Sequence, residues 1–331
     1  MRAVVLGTYG EPDALTIRDV ADPEPGPEEL LVDVVATALN RADLLQRRGF
    51  YPGPPLHYGG QVLDVPGLEF AGRVAAVGPR VTEVAIGDAV MGIVGGGAYA
   101  ERLVVHERQA LRIPQRVPVE DAAAIPEVWI TAYDALVLQG GLTSGRVALV
   151  HAGGSGVGTA AIQLAKVIGA RILVTASGGK LDRCRELGAD VAVDYGREDF
   201  VAAALEATDG EGVDVVLDVV GGDYLGRNLD ALRTRGTLIQ VGVMGDAVSP
   251  LNLGALLAKR ATIIGTTLRR RPIEEKIAVT RRFGDEVLPL FDAGAVRPVI
   301  DSRFAFDDIA DAHHRMEANL NVGKILIDVA P

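Results

Sequence analysis

Residues 147–158 read V-A-L-V-H-A-G-G-S-G-V-G, an apolar run with β-branched residues that stops abruptly in glycines. The next residues, T-A-A-I-Q-L-A-K-V-I-G, carry an apolar pattern of helical period. Strand, tight glycine turn and helix in that order form the phosphate-binding corner of a dinucleotide-binding unit. Glycine lets backbone approach a pyrophosphate without a Cβ in the way, and the unpaired N–H groups of the helix start attract its charge. The glycine string departs from G-x-G-x-x-G. Gly153 and Gly158 fit, but Ser155 stands where the second glycine belongs, and its hydroxyl offers a further donor.

The rest of the chain is consistent with an α/β enzyme built around that corner. After it come alternating runs: 171–177 (strand), 179–188 (helix), 190–195 (strand), 198–207 (helix), 213–220 (strand), 224–232 (helix), 236–242 (strand) and 261–268 (strand). A long amphipathic helix is expected over 273–291. Near-continuous apolar strands alternating with helices predict a parallel sheet covered on both faces. Residues 1–120 instead show short β-runs at 3–6, 15–18, 30–36, 72–78, 89–94 and 98–105, bounded by Gly, Pro or Asp, as in a rolled, partly open barrel. The end of the chain, with R303-F-A-F, a helix over 309–318 and K324-I-L-I-D-V, turns β-rich again and is expected to rejoin that first domain.

Composition excludes several function classes. A net charge of −11 argues against nucleic acid or an anionic membrane as partner. Cys184 is the single cysteine, which rules out intrachain disulfides and cysteine-built zinc sites. The apolar start M-R-A-V-V-L is too short for a signal peptide, and no run of apolar residues is long enough to span a bilayer, so a cytoplasmic protein is expected. The five histidines include no H-E-x-x-H, and adjacent His313 and His314 point apart on a helix, so no metal is expected.

Cofactor choice is read about 20 residues past the glycines, where NAD-binding chains carry Asp or Glu. Here the sequence is T175-A-S-G-G-K, with no carboxylate, a hydroxyl on Ser177 and a cation on Lys180. Tyr195, ending the third strand, adds a phenolic donor. This pattern predicts NADPH rather than NADH. For the chemistry, Asn40 in A38-L-N-R-A-D and Tyr51 in G49-F-Y-P-G are polar residues on predicted loops of the first domain. Arg41 and Asp43 are expected to hold that loop by an internal ion pair.

The segments A38-L-N-R-A-D-L-L-Q-R-R-G, P66-G-L-E-F-A-G, A122-A-A-I-P-E-V-W-I-T-A-Y, H151-A-G-G-S-G-V-G-T-A-A-I-Q-L-A and M316-E-A-N-L-N-V-G-K-I together resemble the zinc-free quinone oxidoreductases. These belong to the medium-chain dehydrogenase/reductase superfamily, and the resemblance is greatest to the tumour-suppressor-inducible NADPH:quinone oxidoreductase subgroup. It runs nearly end to end. It implies a GroES-like β-barrel domain (residues 1–121 and 292–331) around a Rossmann doubly wound parallel sheet (residues 122–291), with NADPH and the acceptor in the cleft between them. Zinc-dependent relatives carry Cys where Asn40 stands and Gly-His-Glu where Gly67-Leu68-Glu69 stand.

By the same resemblance, Asn40 and Thr131 lie near the nicotinamide, and Gly153, Ser155, Gly156 and Val157 at the pyrophosphate. Ser177, Lys180 and Tyr195 fall at the 2′-phosphate, and Gly242, Met244, Leu268 and Arg269 line the cofactor. Asn321 and Lys324 close it from the C-terminal segment, and Arg271 adds positive charge for phosphate. Asn40 and Tyr51 would orient the acceptor and stabilise developing oxyanion charge. The implied activity is reduction of a quinone by NADPH, by hydride or electron transfer, in a homodimer or tetramer joined through the edge strand at 261–267. Two alternatives share parts of this reading: a 2-alkenal or enoyl reductase of the same fold, and a non-enzymatic NADPH-binding or RNA-binding crystallin-like protein.

Overall fold

The apolar runs after residue 147 pair as six strands, all parallel, in the computed structural model, which describes residues 1–329. The sheet order is Val191–Asp194, Arg171–Ala176, Val147–Val150, Val213–Asp218, Leu232–Gln240, Thr262–Gly265. Val147–Val150, first in sequence, sits at the centre between Arg171–Ala176 and Val213–Asp218, with Leu149 opposite both Leu173 and Val216. The direction of winding therefore reverses beside it, the place where open α/β sheets bind ligands. Leu149, Leu173, Val216 and Leu238 are fully buried, as the uninterrupted apolar runs require.

This sheet belongs to one of two compact units, Val128–Leu268; the other comprises Met1–Glu127 and the chain from Arg269 onward. In that second grouping the C-terminal strand Lys324–Asp328 pairs antiparallel with Glu29–Ala38, placing Leu326 opposite Ala38. The mixed sheet continues through Glu69–Val77, Ala89–Ile93 and Ala110–Arg112, while Ile300–Ala305 joins its far edge. Arg102–His106 also pairs with Glu29–Ala38.

Several expectations change. The helix predicted over 273–291 breaks at Val287 into Ile273–Glu286 and Leu288–Asp292, because Pro289 removes a helical N–H. The first piece is tied to the N-terminal part of the chain by Arg108–Glu274 (2.7 Å) and Arg281–Glu83. The compact units divide at 127/128 and 268/269. A hairpin, Leu56–Tyr58 with Gln61–Leu63, was not expected; Gly59 and Gly60 at φ 55° and 86° make its two-residue turn. Residues 41–47, read as a loop, form the helix Arg41–Arg47. No helix among the described residues is long and apolar enough to cross a membrane.

Candidate cofactor corner, polar cluster and family

The strand Val147–Val150 ends in Ala152, held at φ 57°, a left-handed conformation that non-glycine residues rarely adopt and that clusters at functional turns. The glycines that follow are sterically required. A Cβ on Gly153 would lie 2.6 Å from the Val174 side chain, and one on Gly158 would lie 2.4 Å from the Ala152 carbonyl oxygen. Ser155 is the N-cap of the helix Gly156–Ile168: its Oγ accepts from the Gly158 N–H at 3.0 Å. That leaves the serine's own proton to donate outward. The N–H groups of Gly156 and Val157 lie in the first helical turn, which has no intrahelical acceptors, and both residues are partly exposed. Ser155, Gly156 and Val157 thus converge on one anion-binding corner, and the turn fits a pyrophosphate.

At the end of the neighbouring strand Arg171–Ala176, Ser177 opens a single 3₁₀ turn, Gly178–Lys180. The aliphatic stem of Lys180 lies over the glycine turn, so that a Cβ on Gly154 would meet its Cδ at 2.8 Å. Tyr195, about half exposed, follows the next strand, its N–H donating to the Ala176 carbonyl at 3.3 Å. Ser177, Lys180 and Tyr195 are therefore neighbours at one sheet edge. Asp194, overlooked in the sequence, stands beside them: its Oδ2 would be 2.8 Å from a Cβ on Gly178. Its charge is partly met by the Gly196 N–H (3.0 Å) and Arg197 (3.8 Å). The Ala176↔Asp194 register was the signal that would have found it.

Gly242 and the exposed Met244 follow the strand Leu232–Gln240, the Met244 N–H bonding the carbonyls of Val219 and Val220 at 3.1 Å. Thr131 lies buried in the helix Pro126–Tyr133, and Leu268 is buried. His151, to which no role was assigned, braces the sheet. Its ring nitrogens bond Thr175 (2.9 Å) and Asn228 (2.7 Å), and Asn228 donates to Asp218 at 2.9 Å.

In the other unit, Asn40 is the N-cap of helix Arg41–Arg47 in a reciprocal capping box with Asp43. The expected Arg41–Asp43 ion pair does not form. Arg41 bonds the Met316 carbonyl and Asn319, while Asp43 accepts from the Asn40 N–H and the Tyr99 hydroxyl. Burial pushes the Asp43 carboxyl up to about 6, against the opposing pull of the Asn40 N–H and Lys324.

Lys324 sits at the centre of a buried polar cluster. Its ammonium donates to the Leu39 carbonyl (2.5 Å), Asn40 Oδ1 (2.7 Å) and Glu69 Oε1 (2.7 Å). Asn40 Nδ2 donates to the same Glu69 oxygen at 2.8 Å and to the Ala38 carbonyl at 3.3 Å. Lys324 thus directs all three of its N–H groups at protein oxygens. Both Asn40 amide protons go to protein oxygens, and its Oδ1 accepts from Lys324.

Arg269 is likewise committed. It donates to the Gly95 carbonyl (2.6 Å), the Tyr51 carbonyl (3.1 Å) and Gln46 (2.6 Å), and its guanidinium lies 4.9 Å from the Tyr51 ring centroid. Arg270 adds a second cation at 5.4 Å. Arg269 thus holds the Tyr51 segment in place. Arg271, partly buried, precedes the helix Ile273–Glu286. Asn321 donates to the Gly323 carbonyl at 2.9 Å and leaves its buried Oδ1 without a partner, an acceptor matched to a carboxamide N–H.

A zinc ion does not fit the Asn40–Glu69 position. Zinc selects thiolate, imidazole or free carboxylate ligands. Here the chain presents an amide, Leu68 and a carboxylate already neutralised by an ammonium. The single thiol, Cys184, is buried in the other unit.

Residues 26–115 match the family model for the alcohol dehydrogenase GroES-like domain, and residues 156–283 that for zinc-binding dehydrogenases. A quinone oxidoreductase of Pseudomonas aeruginosa is 34% identical over 98% of this chain and 99% of its own length. The human synaptic vesicle membrane protein VAT-1 homolog is 32% identical over 100% of this chain and 87% of its own. The solved structure of Escherichia coli quinone oxidoreductase complexed with NADPH superposes with a TM-score of 0.89 at 28% identity, covering 99% of this chain and 100% of that one. The chain is therefore a member of the medium-chain dehydrogenase/reductase superfamily, an oxidoreductase of its quinone-oxidoreductase-like branch.

Proposed function

We propose that the protein is a zinc-independent, NADPH-dependent quinone reductase acting in the cytoplasm. The observation that carries this reading is the Lys324–Asn40–Glu69 cluster. Relatives that oxidise alcohols use a metal to polarise the oxygen. An ammonium fully engaged by protein oxygens supplies no open Lewis-acid position. The chemistry left to such a site is reduction of an acceptor that is already electron-poor.

When bound, the dihydronicotinamide supplies the hydride, and the chain supplies the rest. The Gly153–Gly158 turn holds the pyrophosphate with Ser155, Gly156 and Val157. Ser177, Lys180 and Tyr195 bind the 2′-phosphate, with Asp194 as a counterweight that Arg197 offsets. Asn321 Oδ1 accepts from the carboxamide. Gly242, Met244, Thr131 and Leu268 shape the cofactor's surroundings. Tyr51, whose ring lies beside Arg269 and Arg270, is assigned to orient the acceptor next to Asn40. The open edge strand Thr262–Gly265, flanked by the exposed Leu253 and Leu257, is the surface for a second copy.

The test is oxidation of NADPH by purified, EDTA-treated protein with phenanthrenequinone, benzoquinone or hexenal as acceptor. Quinone turnover supports the reading. Turnover of hexenal alone reassigns the enzyme as an alkenal reductase, and NADPH binding without reduction of any acceptor rejects catalysis.

A further inference from the structure

Reduction of a quinone to a hydroquinone needs a proton as well as a hydride, and the residues assigned so far leave its source open. The N–H groups of Asn40 and Lys324 are committed to protein oxygens, and Arg269 stays protonated at any working pH. Glu127 differs from all of them. Its backbone N–H donates to Glu69 Oε2 at 2.8 Å, on the carboxylate whose other oxygen holds Asn40 and Lys324. The residue is thereby fixed one hydrogen-bonded link from Asn40. Among the described residues its own carboxyl forms no hydrogen bond or ion pair, and the residue keeps partial solvent access.

We infer, resting on the quinone-reductase reading, that Glu127 is the proton donor to the reduced acceptor. In this step the C–H bond of the reduced nicotinamide breaks and its electron pair goes with hydrogen to the quinone, which becomes a hydroquinone monoanion. The Glu127 O–H bond breaks, its proton passes to the anionic oxygen, and the carboxylate is reprotonated from water. The products are NADP⁺ and hydroquinone, and one solvent proton is consumed per turnover.

The groups surrounding the carboxyl fit this role. Glu69 and Asp43 face it from the strand Glu69–Val77 and the helix Arg41–Arg47, and Lys324 from the strand Lys324–Asp328. Arg269 faces it from the segment before the helix Ile273–Glu286, and Lys276 from that helix. Burial, followed by repulsion from Glu69, pushes the Glu127 carboxyl up to about 8, with Lys324 and Arg269 pulling the other way. It is therefore protonated at neutral pH. The cations are placed to steady the carboxylate once the proton has left.

The experiment compares wild type, Glu127→Gln and Tyr51→Phe with NADPH and benzoquinone after EDTA treatment, following kcat against pH. Carbon-13 NMR of the glutamate carboxyls is recorded alongside, without substrate. Wild-type kcat is expected to fall as pH rises through about 8. Glu127→Gln should lower kcat by about 100-fold, remove that limb and leave NADPH affinity unchanged. Tyr51→Phe should slow the reaction but keep the limb. One glutamate signal titrating near 8 should vanish in Glu127→Gln, and imidazolium should restore turnover in Glu127→Ala.

The inference is overturned if Glu127→Gln keeps kcat within about twofold of wild type, if its limb persists, or if no glutamate titrates above the ordinary carboxylate range. Wild type that reduces no quinone rejects instead the functional reading beneath it.

Discussion

Replacing Lys324 by Met keeps the aliphatic stem and deletes the ammonium. Three donated hydrogen bonds disappear, to the Leu39 carbonyl, Asn40 Oδ1 and Glu69 Oε1. Glu69, with no solvent exposure, then keeps only the Asn40 amide on one oxygen and the Glu127 N–H on the other. Breaking a buried ion pair in this way costs about 3–5 kcal/mol, because the remaining charge is stranded. That is a large part of the roughly 5–15 kcal/mol that holds a domain folded. Urea unfolding followed by circular dichroism should show a lower midpoint at an unchanged slope. Adding Glu69→Gln to Lys324→Met removes the stranded charge and should recover about half of the loss, since the penalty comes chiefly from desolvated charge. A loss below about 1 kcal/mol, the size of an exposed pair, would refute the cluster's central role. So would a double variant no more stable than the single.

Three further outcomes follow from named contacts. Gly158→Ala places a methyl 2.4 Å from the Ala152 carbonyl oxygen, and should weaken NADPH binding in a fluorescence titration by more than about tenfold. His313 is fully buried, and burial with the nearby Arg47 pushes its pKa down to about 3. The unfolded chain takes up this proton below its ordinary pKa of about 6.5 and the native protein does not. Stability should therefore fall as pH drops from about 6.5 towards 3, with a slope of up to about 1.4 kcal/mol per unit from this residue, and His313→Gln should flatten that slope in urea midpoints. Cys184 is buried and its thiol is pushed up to about 11 by burial, so a thiol reagent should label it at neutral pH only after denaturation.

The strand, glycine turn and helix over 147–168 were legible in the sequence because everything that makes them is local. A β-branched run, the glycines, Ser155 and an amphipathic helix all fall within about two dozen residues, and each obeys a short-range rule. The helix Arg41–Arg47 also left a local sign, Asn40 followed three residues later by Asp43, which a capping-box reading would have caught. The partners of Lys324 left none. Its bond to Asn40 joins residues 284 positions apart and exists only because the last strand pairs with Glu29–Ala38. The same holds for Arg269, whose place beside Tyr51 depends on a contact across 218 residues. Asp194 was missed because strand register, not sequence distance, brings it to Ser177. Residue types at the site could be read from the sequence, but which protons were already spent could not.

The most direct measurement of the central claim is the ratio of kcat/KM for NADPH to that for NADH, with benzoquinone as acceptor, in EDTA-treated wild type and in Lys180→Ala. The expected result is quinone reduction without metal, a strong preference for NADPH, and a Lys180→Ala variant whose KM rises for NADPH while its constants for NADH barely move. Equal use of NADH and NADPH by the wild type, or activity that EDTA abolishes and zinc restores, would contradict it.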